Sequence, residues 1–267
     1  KMSKIISIIS NANMASRATT RKLIDLFESY GYEPTTNFTP EAELIVTIGG
    51  DGAFLKTLHR YNFPKTNFVG VNTGHLGFFQ EISPDRLEDF VKRYSEKKYT
   101  VDRLKLVSAD VYTKNRTYNI TALNEIILKA SNSKIIHIDV FINRNHVEKF
   151  SGDGILTCSA SGSTAYNFSG GGALLHPDLD SLQITPLCPV NSAVYRSLPS
   201  SIVVPGDYVI SLVPEKRYAN QNLVLIDGKE FYYKDLHRIN FRSKGEYVSH
   251  LSFSKKSYWD NIKTKFL

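Results

Sequence analysis

The sequence has only two cysteines in 267 residues, Cys158 and Cys188, and neither has a spacing typical of a metal site. No apolar run approaches the roughly 18 residues that a membrane-spanning helix needs. The first residues also lack the pattern of a secretory signal. We therefore expect a cytoplasmic protein with reduced thiols, without a membrane partner and without a metal ion held by cysteine.

Two common nucleotide-binding motifs are absent. Neither the Walker phosphate loop nor the dinucleotide fingerprint G-x-G-x-x-G occurs in the sequence. The net charge is +7, but the basic residues are scattered and form no block interleaved with aromatic residues. Nucleic-acid binding is therefore the least favoured role, because a field that attracts small polyanions such as nucleotides explains the charge equally well.

The first hundred residues alternate between strand-like and helix-like patterns. Apolar runs at 5–10, 44–48 and 67–72 predict buried strands, and a helical apolar stripe follows each of them. Ser16 is the predicted cap of the first helix. This alternation favours an α/β domain over residues 1–103, with a parallel sheet and flanking helices. Ligands of such folds bind beyond the carboxyl ends of the strands.

From about residue 104 the pattern changes to short runs rich in Val, Ile, Tyr and Thr, separated by turn residues. These runs predict a β-rich, mostly antiparallel domain over residues 104–244. The predicted strands are 107–112, 117–122, 126–130, 135–142, 155–159, 202–204, 209–213, 223–226 and 239–241. Asp227-Gly228 is typical of a hairpin turn. The tail, with Tyr258 and Trp259, predicts a short amphipathic helix.

A carboxylate lies in a glycine-rich turn between a predicted strand and a predicted helix, in the segment Gly49-Gly50-Asp51-Gly52. Glycines let backbone N–H groups approach an anion closely, and the following helix points its positive end at the same place. A pure phosphate loop would avoid the charge of Asp51. The combination suits phosphoryl transfer with a carboxylate that accepts a proton or faces a metal. A tight turn in which Asp51 caps the helix is the alternative.

Three further segments carry candidate binding groups. Residues 151–172 contain a glycine-flanked carboxylate, several hydroxyls, Tyr166 and Asn167, and could bind ribose, amide or base groups. Asn124-Glu125 places an amide beside a carboxylate, which suits the two neighbouring hydroxyls of a ribose. His75 is flanked by Gly74 and could polarise a phosphate, although a plain turn histidine is about as common.

Taken in order, these segments resemble the NAD kinase family, specifically its compact bacterial type. The matching segments are Gly49-Gly50-Asp51-Gly52, Asn72-Thr73-Gly74-His75-Leu76-Gly77-Phe78, Asn124-Glu125, Gly152-Asp153-Gly154, Ser161-Gly162-Ser163-Thr164-Ala165-Tyr166-Asn167 and Gly171-Gly172-Ala173-Leu174-Leu175-His176-Pro177. The first motif alone is shared with lipid kinases and phosphofructokinases, whereas the ordered series is specific and covers nearly the whole chain.

The resemblance implies transfer of the ATP γ-phosphate to the 2′-hydroxyl of the adenosine ribose of NAD, with Asp51 as the general base. It further implies a two-domain fold in which residues 245–267 return to the first domain. Family members need a divalent cation, expected to be Mg²⁺ bound mainly through ATP, and form homodimers or homotetramers whose sites are shared between subunits. Polyphosphate is a possible alternative donor, and the sequence leaves open NAD against NADH and feedback by NADP.

The resemblance also assigns binding residues. Gly49, Gly50, Gly52 and His75 would face phosphates. Phe78 and Leu55 would line the adenine, Asn124 and Glu125 would hold the adenosine side of NAD, and Asp153 would contact its nicotinamide half. The remaining predicted NAD-binding residues are Ser151, Ser161, Thr164, Ala165, Tyr166, Asn167, Phe168, Ser169, Cys188 and Val190.

The chain departs from the family pattern at a few positions. Ala53 replaces a usual Thr, Ser151 stands where Arg or Lys is common, Ala160 replaces Pro, Cys188 replaces Ala, and Gly228 replaces a polar residue. None of these changes removes the proposed catalytic group. A lipid kinase that uses the same glycine loop and a non-catalytic NAD or NADP sensor are the alternative functions.

Overall fold

The structure, a computed structural model, describes residues 4–74, 77–253 and 258–267. The chain divides into two compact units. The first unit combines Lys1–Leu104 with Val248–Leu267, and the second is Lys105–Tyr247. None of the helices in the described part of the chain is long and apolar enough to cross a membrane.

The described part of the chain contains eighteen strands and five α-helices. The first half contains β1 (Ile5–Ser10), α1 (Met14–Ser29), β2 (Glu33–Thr35), β3 (Leu44–Gly49), α2 (Asp51–Arg60), β4 (Asn67–Asn72), α3 (Leu87–Ser95), β5 (Thr100–Lys105), β6 (Val107–Thr113), β7 (Thr117–Ala122), β8 (Glu125–Ala130) and β9 (Ile136–Ile142). The second half contains β10 (Asn145–Gly152), β11 (Gly154–Ser159), α4 (Tyr166–Ser169), β12 (Ser181–Leu187), β13 (Ile202–Pro205), β14 (Ile210–Pro214), β15 (Asn222–Ile226), β16 (Lys229–Phe231), β17 (Leu236–Arg242), β18 (Tyr247–Ser252) and α5 (Tyr258–Phe266).

The first unit is built on a six-stranded sheet of order β2-β1-β3-β4-β18-β5. The pairings from β2 through β18 are parallel. All six residues of β3 are buried, as expected for a central parallel strand covered on both faces. Phe27 of α1 and Phe90 of α3 pack edge to face, 5.9 Å between ring centroids, in the core of this unit. The predicted α/β domain with a parallel sheet is confirmed.

The second unit contains two six-stranded antiparallel sheets, of orders β10-β9-β14-β17-β6-β7 and β13-β12-β11-β8-β15-β16. The main apolar core takes residues from both sheets, including Val111 and Ile138 from the first and Leu128 and Leu182 from the second. The prediction of a mostly antiparallel, β-rich domain is therefore confirmed.

Details of the predicted elements differ from the structure in a few places. The first helix is capped by Asn13, not Ser16, because the Asn13 side chain accepts the Ser16 N–H at 2.8 Å. Six strands were not predicted, namely β2, β5, β10, β12, β16 and β18. Of these, β10 is polar over half its length and β12 contains Gln183 and Pro186. The predicted hairpin turn between β15 and β16 is confirmed, with both Asp227 and Gly228 at positive φ.

Candidate functional site

The carboxylate of Asp51 lies at the N-terminus of α2, directly after the capping residue Gly50. Its Oδ2 accepts the Phe78 N–H at 2.7 Å and its Oδ1 accepts the Phe79 N–H at 3.0 Å. Both bonds cross from the start of α2 to the chain that follows β4. Asp51 is therefore held at both oxygens by the backbone of a second segment, which fixes the plane of its carboxylate.

The glycines around Asp51 fall into two classes. Gly49 has a positive φ of 152°, and Gly77 lies so close to Asp51 that an added Cβ would come within 2.0 Å of Oδ1. The fold itself thus requires these two glycines. By contrast, a Cβ added at Gly50 or Gly52 would meet no atom of the described residues within 4 Å. With respect to those residues, the space beside Gly50 and Gly52, at a helix N-terminus, is open to a phosphate.

Two buried side chains that sequence analysis did not identify, Gln80 and His250, bind the backbone on either side of Asp51. Gln80 is completely buried, and its Nε2 donates to the Gly50 carbonyl at 3.0 Å. Its Oε1 has no donor among the described residues. On β18, His250 Nε2 lies 3.0 Å from the Phe79 carbonyl oxygen. A motif search misses both residues because they act on backbone atoms distant in sequence.

The other predicted site residues of this unit are Leu55 and Phe78, and both are half-buried. Leu55 lies on α2, one turn after Asp51. Phe78 is in the segment whose amides hold Asp51. His75 lies outside the described residues, so the role predicted for it stays a prediction.

In the second unit, the carboxylate of Asp227 anchors the start of β8. Its Oδ2 accepts the Leu123 N–H at 2.9 Å, and its Oδ1 accepts the N–H groups of Asn124 at 2.7 Å and Glu125 at 3.2 Å. Asp227 is in the left-handed region at φ 46°. The sequence indicated only a turn here, because the three amides are more than 100 residues away along the chain.

Glu125 is 6% exposed, and burial raises the pKa of its carboxyl from 4.5 to about 7, with the nearby Asp227 charge adding to the shift. A backbone hydrogen bond from Tyr166 opposes this rise. The Oε2 atom of Glu125 and the Oδ1 atom of Asn124 are both buried, and no donor in the described part of the chain reaches either. Two unsatisfied acceptors on neighbouring residues are unusual in a folded protein.

The segment 161–169, part of the predicted binding segment 151–172 and ending in α4, lies against this pair. An added Cβ at Gly162 would be 1.7 Å from the Asn124 carbonyl oxygen, so only glycine permits the close approach. Tyr166, Phe168 and Ser169 are exposed. The predicted residues that are half-buried in this loop are Ser161, Thr164 and Ala165.

Asn167 has an internal role in the same loop. Its side chain is fully buried, donates to the carbonyls of Ser163 and Ala173, both at 3.1 Å, and accepts the Thr185 hydroxyl at 2.6 Å. No polar atom of Asn167 is left open in this arrangement. The structure thus uses Asn167 to hold the loop, and its predicted contact with a ligand stays a prediction.

Ser151 is similarly buried, with its Oγ 2.7 Å from His137 Nδ1 and its carbonyl accepting the Val190 N–H at 2.7 Å. Its side chain therefore supports β10 and has no open hydroxyl. Asp153 is exposed and donates its N–H to the Leu187 carbonyl at 3.0 Å. Cys188 is exposed at a positive φ of 47°, and Val190 is half-buried.

Each unit thus offers a distinct chemistry. The first presents an oriented carboxylate beside open glycines at a helix N-terminus, an arrangement suited to a transferring phosphoryl group and a proton acceptor. The second presents two buried acceptors in need of donors, beside a loop with an exposed aromatic side chain. Paired hydroxyls, as on a ribose, are donors of the required kind.

Comparison with known families gives matches over most of the chain. Residues 9–99 match the ATP-NAD kinase N-terminal domain, and residues 123–249 match the ATP-NAD kinase C-terminal domain. An NAD kinase of Finegoldia magna is 42% identical over 269 aligned residues, covering 99% of this chain and 98% of that protein. NAD kinase 1 of Listeria monocytogenes is 33% identical over 233 residues, covering 85% of this chain and 86% of that protein.

Two solved structures share the fold. Yeast NADH kinase, crystallised with NADH, has a TM-score of 0.86 at 17% identity and covers 99% of this chain and 88% of its own. An NAD kinase from Archaeoglobus fulgidus in complex with ATP has a TM-score of 0.78 at 22% identity, with 98% of each chain covered. At these identities the likeness shows the fold.

Replacing Gly77 by Ala tests the contact that orients Asp51. The new Cβ would overlap the Asp51 carboxylate, so either the carboxylate or the 77–79 backbone must move. We expect a loss of about 1–3 kcal/mol in the free energy of unfolding, the usual cost of overpacking. Gly52→Ala is the matched control, because it adds a methyl group in open space within a helix and should stabilise by up to about 1 kcal/mol. Urea unfolding of both variants checks this, and equal effects would contradict it.

The raised pKa of Glu125 predicts that the free energy of unfolding falls as the pH rises. Because its pKa is raised to about 7 in the folded protein, the folded state binds a proton more tightly than the unfolded state. The stability due to this proton is fully present below pH 4.5 and is lost as the pH rises through about 7. Glu125→Gln cannot ionise, so it should be more stable than the parent by roughly 1–3 kcal/mol at pH 8 and show little gain at pH 4.5.

Ligand-free unfolding at both pH values measures this difference. Glu230→Gln, on exposed β16, is the control for the loss of one negative charge. A Glu125→Gln variant with the same stability difference from the parent at both pH values would contradict the prediction.

Proposed function

The chain belongs to the ATP-NAD kinase family, and on that premise we propose that it transfers the γ-phosphate of ATP to the 2′-hydroxyl of the adenosine ribose of NAD, giving NADP and ADP. The observation that carries the choice of acceptor is the pair of buried, unpaired oxygens on Asn124 and Glu125. Ribose hydroxyls of NAD are donors of the kind that these two oxygens lack. Leaving such acceptors unpaired costs about 1–3 kcal/mol each, and ligand binding removes that cost.

Asp51 is the proposed general base. As the 2′-oxygen forms its bond to the γ-phosphorus, the bond from that phosphorus to the β–γ bridging oxygen breaks and ADP leaves. The hydroxyl proton passes to the Asp51 carboxylate. Two backbone N–H groups hold this carboxylate, so its orientation is set before the substrate binds. The open N-terminus of α2 at Gly50 and Gly52 is the proposed position of the phosphates, and Gly49 and His75 are assigned to the same role.

The divalent cation is assigned to the nucleotide. Among the described residues, no group of three His, Cys, Asp or Glu side chains is arranged to hold a metal ion. We propose that Mg²⁺ arrives with ATP and is bound mainly by its phosphate oxygens, the ligands that Mg²⁺ prefers.

The remaining contacts follow the resemblance. Phe78 and Leu55 are assigned to the adenine of NAD, and Asp153 to the nicotinamide half. Both Phe78 and Leu55 are half-buried and Asp153 is exposed, so each has surface to offer a ligand. The base and ribose portions are assigned to the loop that contains Thr164, Ala165, Tyr166 and Ser169.

A coupled assay tests the function against its alternatives. The purified protein is incubated with ATP, Mg²⁺ and NAD, and NADP is followed with an NADP-dependent dehydrogenase. Parallel reactions replace NAD with NADH or diacylglycerol, and ATP with polyphosphate. Phosphorylation of diacylglycerol alone would favour the lipid kinase, and binding of NAD without turnover would favour a sensor.

Asp51→Asn tests the base directly. The amide cannot accept the hydroxyl proton, so we expect turnover to fall by about 10²–10⁴-fold, the usual contribution of general-base catalysis. The amide also pairs less well with the two N–H groups, so a modest loss of stability of about 1–3 kcal/mol should accompany it. Asp25→Asn, on the exposed face of α1, is the matched control. Unchanged NADP formation by a folded Asp51→Asn protein would remove Asp51 from the role of base.

Self-association is proposed on the same premise, as a homodimer or homotetramer in which a neighbouring subunit contributes Cys188 to the NAD site. In the segment after Cys188, 80% of the surface of Val194 is exposed, and Tyr195 and Leu198 are also exposed. An exposed apolar segment of this kind is typical of a protein–protein contact.

Replacing Cys188 by Trp tests its place in the site. If Cys188 lines the NAD site, the indole blocks the ligand and raises the KM for NAD more than the KM for ATP, with little change in Tm. Cys188→Ala should be mild, because a methyl group is only slightly smaller than a thiol. Equal changes in both KM values together with a large drop in Tm would instead make Cys188 a packing residue.

A further inference from the structure

The C-terminal helix α5 contacts the segment that orients Asp51. Lys265 Nζ donates to the Gly77 carbonyl oxygen and lies 3.7 Å from the centre of the Phe78 ring. The ring of Phe266 lies 5.6 Å from the same ring. These contacts all fall on two consecutive residues of the chain after β4.

The Gly77 carbonyl and the Phe78 N–H belong to one peptide unit. The carbonyl accepts from Lys265, and the N–H donates to Asp51 Oδ2 at 2.7 Å. A peptide unit is planar and rigid, so fixing the direction of its C=O also fixes the direction of its N–H. A cation bound to the oxygen further polarises the unit and strengthens the N–H as a donor.

The surroundings of α5 make this contact sensitive to small changes. None of the nine described residues of α5 is fully buried. A cavity of about 130 Å³ lies beneath the helix, lined in part by Glu81, Arg86 and Asp89. The contacts of α5 with Gly77 and Phe78 therefore lie at the edge of a cavity, where a side chain can be changed without overpacking a core.

We propose that Lys265 is a positioning residue for the general base: its ammonium fixes the Gly77–Phe78 peptide unit, which in turn holds Asp51 Oδ2 in place. The catalytic part of this inference rests on the proposed function. The structural part, the link from Lys265 to the Phe78 N–H, does not depend on which reaction Asp51 serves.

The variant Lys265→Met removes the charge and the donor while keeping an unbranched side chain of similar length. Lys263→Met is the matched control, since Lys263 lies on the same helix and is exposed. Lys265→Arg keeps the cation and should restore most of the effect. Trp259, the only tryptophan, reports by its fluorescence that α5 is still in place in each variant.

We expect Lys265→Met to lower kcat by about 10–10²-fold, as a displaced catalytic group does, without a comparable change in the KM for ATP. The decisive measurement is a double-mutant cycle. In the Asp51→Asn background, Lys265→Met should have little further effect on kcat, because its action passes through Asp51. Hydrogen exchange at the Phe78 amide should be faster in Lys265→Met than in Lys263→Met.

Two results would overturn the proposal. One is equal amide exchange at Phe78 in the two variants, which would show that Lys265 does not fix the peptide unit whether or not the protein is a kinase. The other is an equal fold-loss of kcat from Lys265→Met with and without Asp51. A parent protein that forms no NADP at all would refute the proposed function instead, and the exchange measurement would still decide the structural link.

Discussion

The hydrogen bonds from the Phe78 and Phe79 amides to Asp51 tie the start of α2 to the chain after β4, and the geometry around Asp51 depends on them. A carboxylate so close to the backbone leaves no room for a side chain at Gly77. Gly49, the last residue of β3, has a positive φ just before α2. Gln80 then completes the arrangement by binding the Gly50 carbonyl.

The second unit uses a similar device at Asp227. Here, too, a carboxylate accepts consecutive backbone N–H groups, in this case at the start of β8. Asp227 thereby places Asn124 and Glu125 while occupying only their backbone donors. Asn124 Oδ1 and Glu125 Oε2 remain without a donor among the described residues. Burial raises the pKa of Glu125, and the charge of Asp227 adds to that rise, so one acidic residue both positions the pair and contributes to its electrostatics.

The parts of the structure that could be predicted from the sequence are those set by local patterns. Strands β1, β3 and β4 are continuous apolar runs, and the Asp227-Gly228 turn has its own signature. The family's ordered motifs also indicate Asp51 and the Asn124-Glu125 pair. Strand β12 was missed because its burial depends on the neighbouring strands, which outweigh the polarity of Gln183.

The supporting residues of the site could not be predicted, for a different physical reason. Gln80, His250 and Asp227 all act on backbone atoms, and a backbone N–H or carbonyl looks the same at every position in a sequence. Only the folded chain shows that the Asp227 carboxylate meets three amides from the start of β8.

The placement of the unpaired polar atoms links the fold to the proposed chemistry. Buried acceptors without donors reduce stability, and folded proteins contain few of them. Here two such atoms stand side by side on Asn124 and Glu125, next to a loop that Gly162 allows to approach within contact distance. The neighbouring Asn167 is fully paired within the protein. Asn124 and Glu125 differ in that both unpaired oxygens are acceptors on adjacent residues, an arrangement that suits ligand hydroxyls.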